Sequence, residues 1–105
     1  MPAVPKLSHT TAMILRAVDA GRPYGLSIME VTGLPSGTVY PALRRLERDG
    51  LIRSQWERQS IADAELRPPR KYYRVTRPGR EVLEASLGRY PLLAKLLPMP
   101  EAEDA

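Results

Sequence analysis

Apolar positions recur with a helical period in three stretches of this chain and with a strand period in two. The fullest helical signal lies in Leu34–Ile52, where Val39, Ala42, Leu43 and Leu46 fall at i, i+3, i+4 and i+7, one face of a helix. At about 100° per residue, the opposite face carries Gly37, Pro41, Arg44 and Arg48, with Tyr40 on one flank and Thr38 and Arg45 on the other. Ser36 or Gly37 can cap the start, and Gly50 stands where a helix-ending glycine belongs. The pattern predicts a helix over 38–49. Pro41 is tolerable there if Gly37 is the cap, because the forfeited bond is then only the first.

The stretches on either side give that helix its context. Ser8 or Thr10 can cap a first helix running to Ala20, with Leu7, Ile14, Leu15 and Val18 on its buried side. Gly21–Gly25 reads as a turn, Ser27–Thr32 as a short helix and Gly33–Ser36 as a tight turn. A short helix, a glycine-containing turn and a basic helix form the helix-turn-helix arrangement, whose second helix enters a major groove. After Gly50 the period changes to two. Leu51–Arg58 and Arg70–Arg77 read as strands, and Gln59–Pro69 as an eleven-residue loop between them. A basic hairpin directly after a helix-turn-helix is a winged helix. Tyr24 is expected to pack beneath the helix pair. Trp56 is expected to pack on the core or a partner subunit, with ligand stacking as the alternative. Thr76 is a good N-cap, and Val82, Leu83, Ser86, Leu87 and Tyr90 mark one face of a helix over 77–89. Pro91 should interrupt it. Leu92, Leu93, Leu96 and Leu97 then form a short helical piece too apolar to lie free in water.

Charge sharpens the picture. The chain has 105 residues, 16 Lys and Arg, 12 Asp and Glu, and a net charge of +4. Ten of the basic residues and five of the acidic ones fall between Ser36 and Arg77, a clustering that points to a polyanion partner. The helix N-terminus with its small, hydroxylated residues also suits phosphate. There is no cysteine, so neither a disulfide framework nor a thiolate metal site arises. The single histidine, His9, has no clustered ligands and suits a surface or capping role, so no metal or cofactor is expected. No carboxylate pair or phosphate-cradling glycine loop supports an enzyme. No apolar run is long enough to span a membrane, and Met1–Lys6 carries no signal-peptide core. The chain is expected to be cytoplasmic.

Several strings resemble the PadR family of winged-helix transcriptional regulators. They are Tyr24-Gly25, Gly37-Thr-Val-Tyr-Pro-Ala-Leu-Arg-Arg-Leu-Glu47, Gly50-Leu-Ile52 and Arg70-Lys-Tyr-Tyr-Arg-Val-Thr76 followed by Gly79. Together they span roughly residues 7–88. The resemblance implies a homodimeric repressor whose third helices enter successive major grooves of a near-palindromic operator. It puts Thr38, Tyr40, Pro41 and Arg44 on the recognition surface and Arg70 and Lys71 on the wing. Ser36, Arg45 and Arg48 join the expected DNA face from the helix geometry. The family dimerises through C-terminal helices; here Pro91 breaks the last helix early and a leucine-rich segment follows.

The expected fold is thus α+β and mainly helical. It comprises a winged helix-turn-helix of three helices and a two-stranded wing at 7–77, a C-terminal dimerisation segment at 78–98, and an acidic disordered tail at 99–105. The expected dimer seam is Leu15, Val82, Leu83, Leu87, Tyr90, Leu93, Leu96 and Leu97. The expected partners are double-stranded DNA, a second copy of the chain and, where an effector exists, a small molecule. The competing reading is a protein-interaction module that docks a partner protein through Leu92–Leu97.

Overall fold

The computed structural model describes residues 5–21 and 24–96. Six helices and two strands follow in the order α1 (His9–Asp19), α2 (Gly25–Thr32), α3 (Ser36–Arg48), β1 (Ile52–Trp56), α4 (Gln59–Ala64), β2 (Lys71–Val75), α5 (Arg77–Arg89) and α6 (Leu93–Leu96). The strands pair antiparallel in the register Ile52↔Val75 to Trp56↔Lys71, so one end of the ladder is rooted in the core and the other projects. This is a winged helix.

α1 is the central post. Ser8 caps it by accepting from the Thr11 backbone N–H at 3.1 Å. Its buried Ile14, Leu15, Ala17 and Val18 meet Ile28 of α2, Val39, Ala42, Leu43 and Leu46 of α3, and Val82 and Leu83 of α5. Every member of the predicted α3 stripe is buried. Burying a leucine or isoleucine contributes about 1.5–3 kcal/mol, so the stripe fixes which face of α3 looks outward. Where α3 ends, the Leu51 N–H reaches the Leu46 carbonyl at 2.9 Å and the Gly50 N–H reaches Glu47 at 3.0 Å. Gly50 takes the left-handed conformation, φ 76°, that this closure requires.

Four expectations are corrected. First, α3 starts at Ser36 with Pro35 as its cap. Pro41 therefore lies deeper than expected, and the bond its missing N–H forfeits is the third of the helix rather than the first. Second, Gln59–Pro69 is not a bare loop, because Gln59–Ala64 is helical and buries Ala62. Third, Tyr24 does not lie beneath the helix pair. It makes an isolated bridge to Tyr72, and their rings meet edge to face at 5.6 Å, tying α2 to the wing. Fourth, Trp56 is 63 % exposed and does not pack on the core.

The C-terminal elements also fold back more fully than expected. Thr76 caps α5 as predicted, accepting from the Gly79 N–H at 3.1 Å. The Tyr90 hydroxyl donates to the Leu7 carbonyl at 2.8 Å, and Arg80 pairs with Asp19 at 3.1 Å. α6 packs on α1 and buries Leu93. Four residues expected at a dimer seam, Leu15, Val82, Leu83 and Leu93, are thus buried within this chain itself. A helical stripe marks a side chain as buried without saying whose surface buries it. Leu87 and Tyr90 are half-buried and Leu92 is 62 % exposed. The side chain of Leu96, all of Leu97 and the acidic tail lie outside the described residues.

Candidate nucleic-acid interface

With its apolar stripe turned inward, α3 presents Ser36, Tyr40, Arg44, Arg45 and Arg48 to solvent, with Thr38 and Pro41 partly exposed. These are the seven α3 residues predicted for a DNA face, and the structure brings them onto one exposed surface. They differ in what already engages them. Arg48 Nε lies 3.3 Å from its neighbour Asp49. Among the described residues Arg44 and Arg45 make no hydrogen bond or ion pair, so their guanidinium groups are available to an anion. The Tyr40 ring lies against the start of α2, where a Cβ on Gly25 would stand 2.6 Å from Tyr40 Cε1, so a larger residue at 25 would displace the ring.

The two wing cations, Arg70 and Lys71, sit at the projecting end of the ladder. The Arg70 guanidinium lies 4.4 Å above the Tyr24 ring, a contact that fixes its direction while leaving its donors free of a carboxylate. Lys71 Nζ is 3.9 Å from Glu47 and lies 5.8 Å and 5.9 Å from the Trp56 and Tyr73 rings. Glu47 also accepts from the Ser54 hydroxyl. Burial, and then the nearby Glu47 carboxylate, raises the Tyr73 phenol above its ordinary pKa.

A second cluster shapes the wing, and the sequence did not reveal it. The Glu57 carboxylate accepts from Arg67 Nη1 at 2.6 Å and Nη2 at 2.8 Å, from the Tyr72 hydroxyl at 3.0 Å and from the Arg70 backbone N–H at 3.3 Å. A forked arginine on one carboxylate is a strong, directional pair. It clasps the end of the wing connection to β1. The Arg67 hydrogen bonds are the largest cause holding Glu57 near a pKa of about 2 against an ordinary 4.5, and Arg67 is raised in turn. Because the folded value is the lower one, this clasp contributes stability above pH 4.5 that is lost as pH falls toward 2. Glu57→Gln should therefore melt below the parent at neutral pH, with the gap closing across that acid window. Thermal unfolding of both proteins at several pH values checks this, and a gap independent of pH would contradict it.

Between α3 and the projecting end of the wing lies a cleft of about 730 Å³. Tyr24, Leu26, Tyr40 and Arg44 line it from the helices, and Trp56, Pro68, Pro69, Arg70, Lys71 and Tyr73 from the wing. The exposed α3 face and the wing cations are thus parts of one continuous basic surface. Among the described residues there is no His, Asp and Glu cluster able to hold a metal ion, and no helix is long and apolar enough to cross a membrane.

Comparison with known proteins fixes the lineage of this arrangement. The sequence profile of the transcriptional regulator PadR-like family matches residues 14–85, which include α2, α3 and the whole wing. The chain belongs to that family. PadR-like proteins are transcriptional regulators, so the basic surface stands in a family whose members bind DNA. A PadR-like transcription factor from Bacteroides fragilis is 26 % identical, with a TM-score of 0.63, over 81 % of this chain and 82 % of that one. A PadR family transcriptional regulator from Eggerthella lenta is 28 % identical, with a TM-score of 0.59, over 82 % and 79 %. A transcriptional regulator from Clostridium thermocellum shares the fold at 24 % identity and a TM-score of 0.64, over 82 % and 86 %. No curated protein matches.

Proposed function

We propose that this PadR-like protein is a homodimeric, sequence-specific repressor that works in the cytoplasm and occludes a promoter. Two copies of α3 would enter successive major grooves of a near-palindromic operator, about one helical turn (~34 Å) apart. In this reading Arg44 and Arg45 meet a guanine edge or phosphates, and Ser36, Thr38 and Tyr40 meet the backbone near the start of α3. Pro41 shapes the contact surface, and Arg48, Arg70 and Lys71 add flanking charge. The dimer seam is proposed along α5 through Leu87 and Tyr90, with Leu96 and Leu97 as its further apolar residues. An effector, where one exists, acts by favouring one state of the protein over another.

The observation that carries this reading is the pair of exposed arginines, Arg44 and Arg45, without internal partners among the described residues, on the outward face of a helix whose other face is wholly buried. Any amphipathic surface helix shows that asymmetry; what a merely solvated helix does not need is the joining of this face to Arg70 and Lys71 of the wing across one cleft. The protein-docking alternative relied on four leucines, and Leu93 is already buried within the chain.

The test is light scattering of the protein alone and with its own promoter fragment across a salt series. A dimer should form and should bind the fragment. If it contacts about six to ten phosphates, its affinity should fall by roughly 10³–10⁵ between about 50 and 200 mM salt. A monomer indifferent to DNA, or binding indifferent to salt, would refute the proposal.

A further inference from the structure

The cleft between α3 and the wing holds more aromatic surface than duplex DNA can use. A double helix keeps its bases stacked, so it offers phosphates and base edges but no ring faces until a base is flipped out. Yet Trp56, 63 % exposed, lines the cleft from the wing and Tyr40, 40 % exposed, from α3, and Tyr24 and Tyr73 line it as well. An exposed tryptophan beside cations is the arrangement on which single, unstacked bases settle.

Charge in the cleft is complementary to phosphate. Arg44, Arg70 and Lys71 line it together with Arg67, and among the described residues no carboxylate does. The two acids behind the walls are already engaged, Glu57 by Arg67 and Tyr72 and Glu47 by Ser54 and, loosely at 3.9 Å, by Lys71. Arg44 has no such partner among the described residues. The volume, about 730 Å³, lies within the range of about 300–1,000 Å³ typical of small-ligand sites.

We propose that this cleft is a nucleotide site, in which a planar base stacks on Trp56 and Tyr40 while its phosphate is held by Arg44 and Lys71. A nucleotide seated there covers Tyr40, Arg44 and Lys71, so it excludes DNA directly. That exclusion rests on the DNA reading given above, whereas nucleotide binding itself does not. The chain's only tryptophan is the reporter.

Purified protein without DNA is titrated with AMP, GMP, CMP and UMP at constant ionic strength. Binding is followed by Trp56 fluorescence and by calorimetry, with inorganic phosphate and benzoate as controls. The expected result is saturable quenching by at least one nucleotide, bound at least about tenfold more tightly than either control. Trp56→Leu, read by calorimetry, should bring nucleotide affinity down to that of phosphate while leaving promoter binding intact. Equal binding of nucleotides and inorganic phosphate would reduce the site to bare anion attraction and overturn the proposal. Equal or tighter binding of benzoate would overturn the nucleotide assignment. Quenching by a nucleotide that leaves the promoter complex undisturbed would overturn the exclusion. Failure of the unliganded protein to bind its promoter would count against the repressor reading alone, because the quenching experiment contains no DNA.

Discussion

Gly79→Ala is expected to destabilise the protein by about 3 kcal/mol or more, enough to lower its melting temperature by roughly 12 °C or to prevent folding. Gly79 is in the first turn of α5, buried against the segment that follows α3. A methyl group there would fall on the Leu51 carbonyl oxygen, at 2.8 Å from Leu51 C and 2.9 Å from Val75 Cγ1. The carbonyl cannot give way, since it accepts the Thr76 N–H at 3.0 Å, and the Thr76 hydroxyl donates to Gly50 at 2.7 Å. α5 would have to lift off, taking Val82 and Leu83 out of the core. Alanine normally favours a helix over glycine by about 1 kcal/mol, and Gly88 of the same helix shows the contrast. Nothing lies within 4 Å of a Cβ at Gly88, so Gly88→Ala should be neutral or raise the melting temperature slightly. Differential scanning calorimetry should therefore show a large fall for Gly79→Ala and no fall for Gly88→Ala. A Gly79→Ala protein as stable as the parent would show that α5 does not pack on Leu51 as described.

Where the sequence was legible, a local pattern coincided with a local physical need. The α3 stripe at Val39, Ala42, Leu43 and Leu46, the glycine at 50 and the Thr76 cap each announce their role within a few residues, and each is found in it. The outward face of α3 followed by subtraction. α4 lacked such signals. It is six residues long with one buried side chain, and its closing left-handed residue is Leu66, φ 56°, where a glycine would have marked the end. The Leu66 N–H nevertheless reaches Asp63 and the Arg67 N–H reaches Ala62, both at 3.1 Å, the same closure that Gly50 makes for α3. The Glu57 clasp was unreadable for another reason. Its partners at 67, 70 and 72 come together only after the wing has folded, and in the sequence Glu57 is one charge among several. Trp56 does not pack on the core, as one arm of its expectation had it, because a strand's alternation gives the side a residue faces, not whether that side is covered. The same gap affected the seam residues: Leu15, Val82 and Leu83 were correctly read as apolar faces but belong to the chain's own core.

Arg44→Ala is expected to abolish most specific promoter binding while leaving the melting temperature and the oligomeric state unchanged. The side chain is exposed and makes no hydrogen bond or ion pair among the described residues, so its removal leaves no buried group unsatisfied. A bidentate arginine–guanine pair contributes about 1–3 kcal/mol of discrimination, a factor of roughly 5–150 in affinity. A symmetric dimer uses two copies, so the loss counts twice on a logarithmic scale. How the loss appears distinguishes the two roles open to this residue. If Arg44 reads a guanine, the variant should tolerate substitution at one symmetric pair of operator positions that the parent rejects, with its salt dependence little changed. If Arg44 holds a phosphate, binding should weaken evenly on every sequence and the salt slope should drop by about one for each copy lost. Arg89→Ala, at the end of α5, is the control for a mere change of net charge. Should both variants weaken binding equally, the α3 face would be acting only as diffuse charge. A parent-like Arg44→Ala protein would move the recognition surface away from this part of α3.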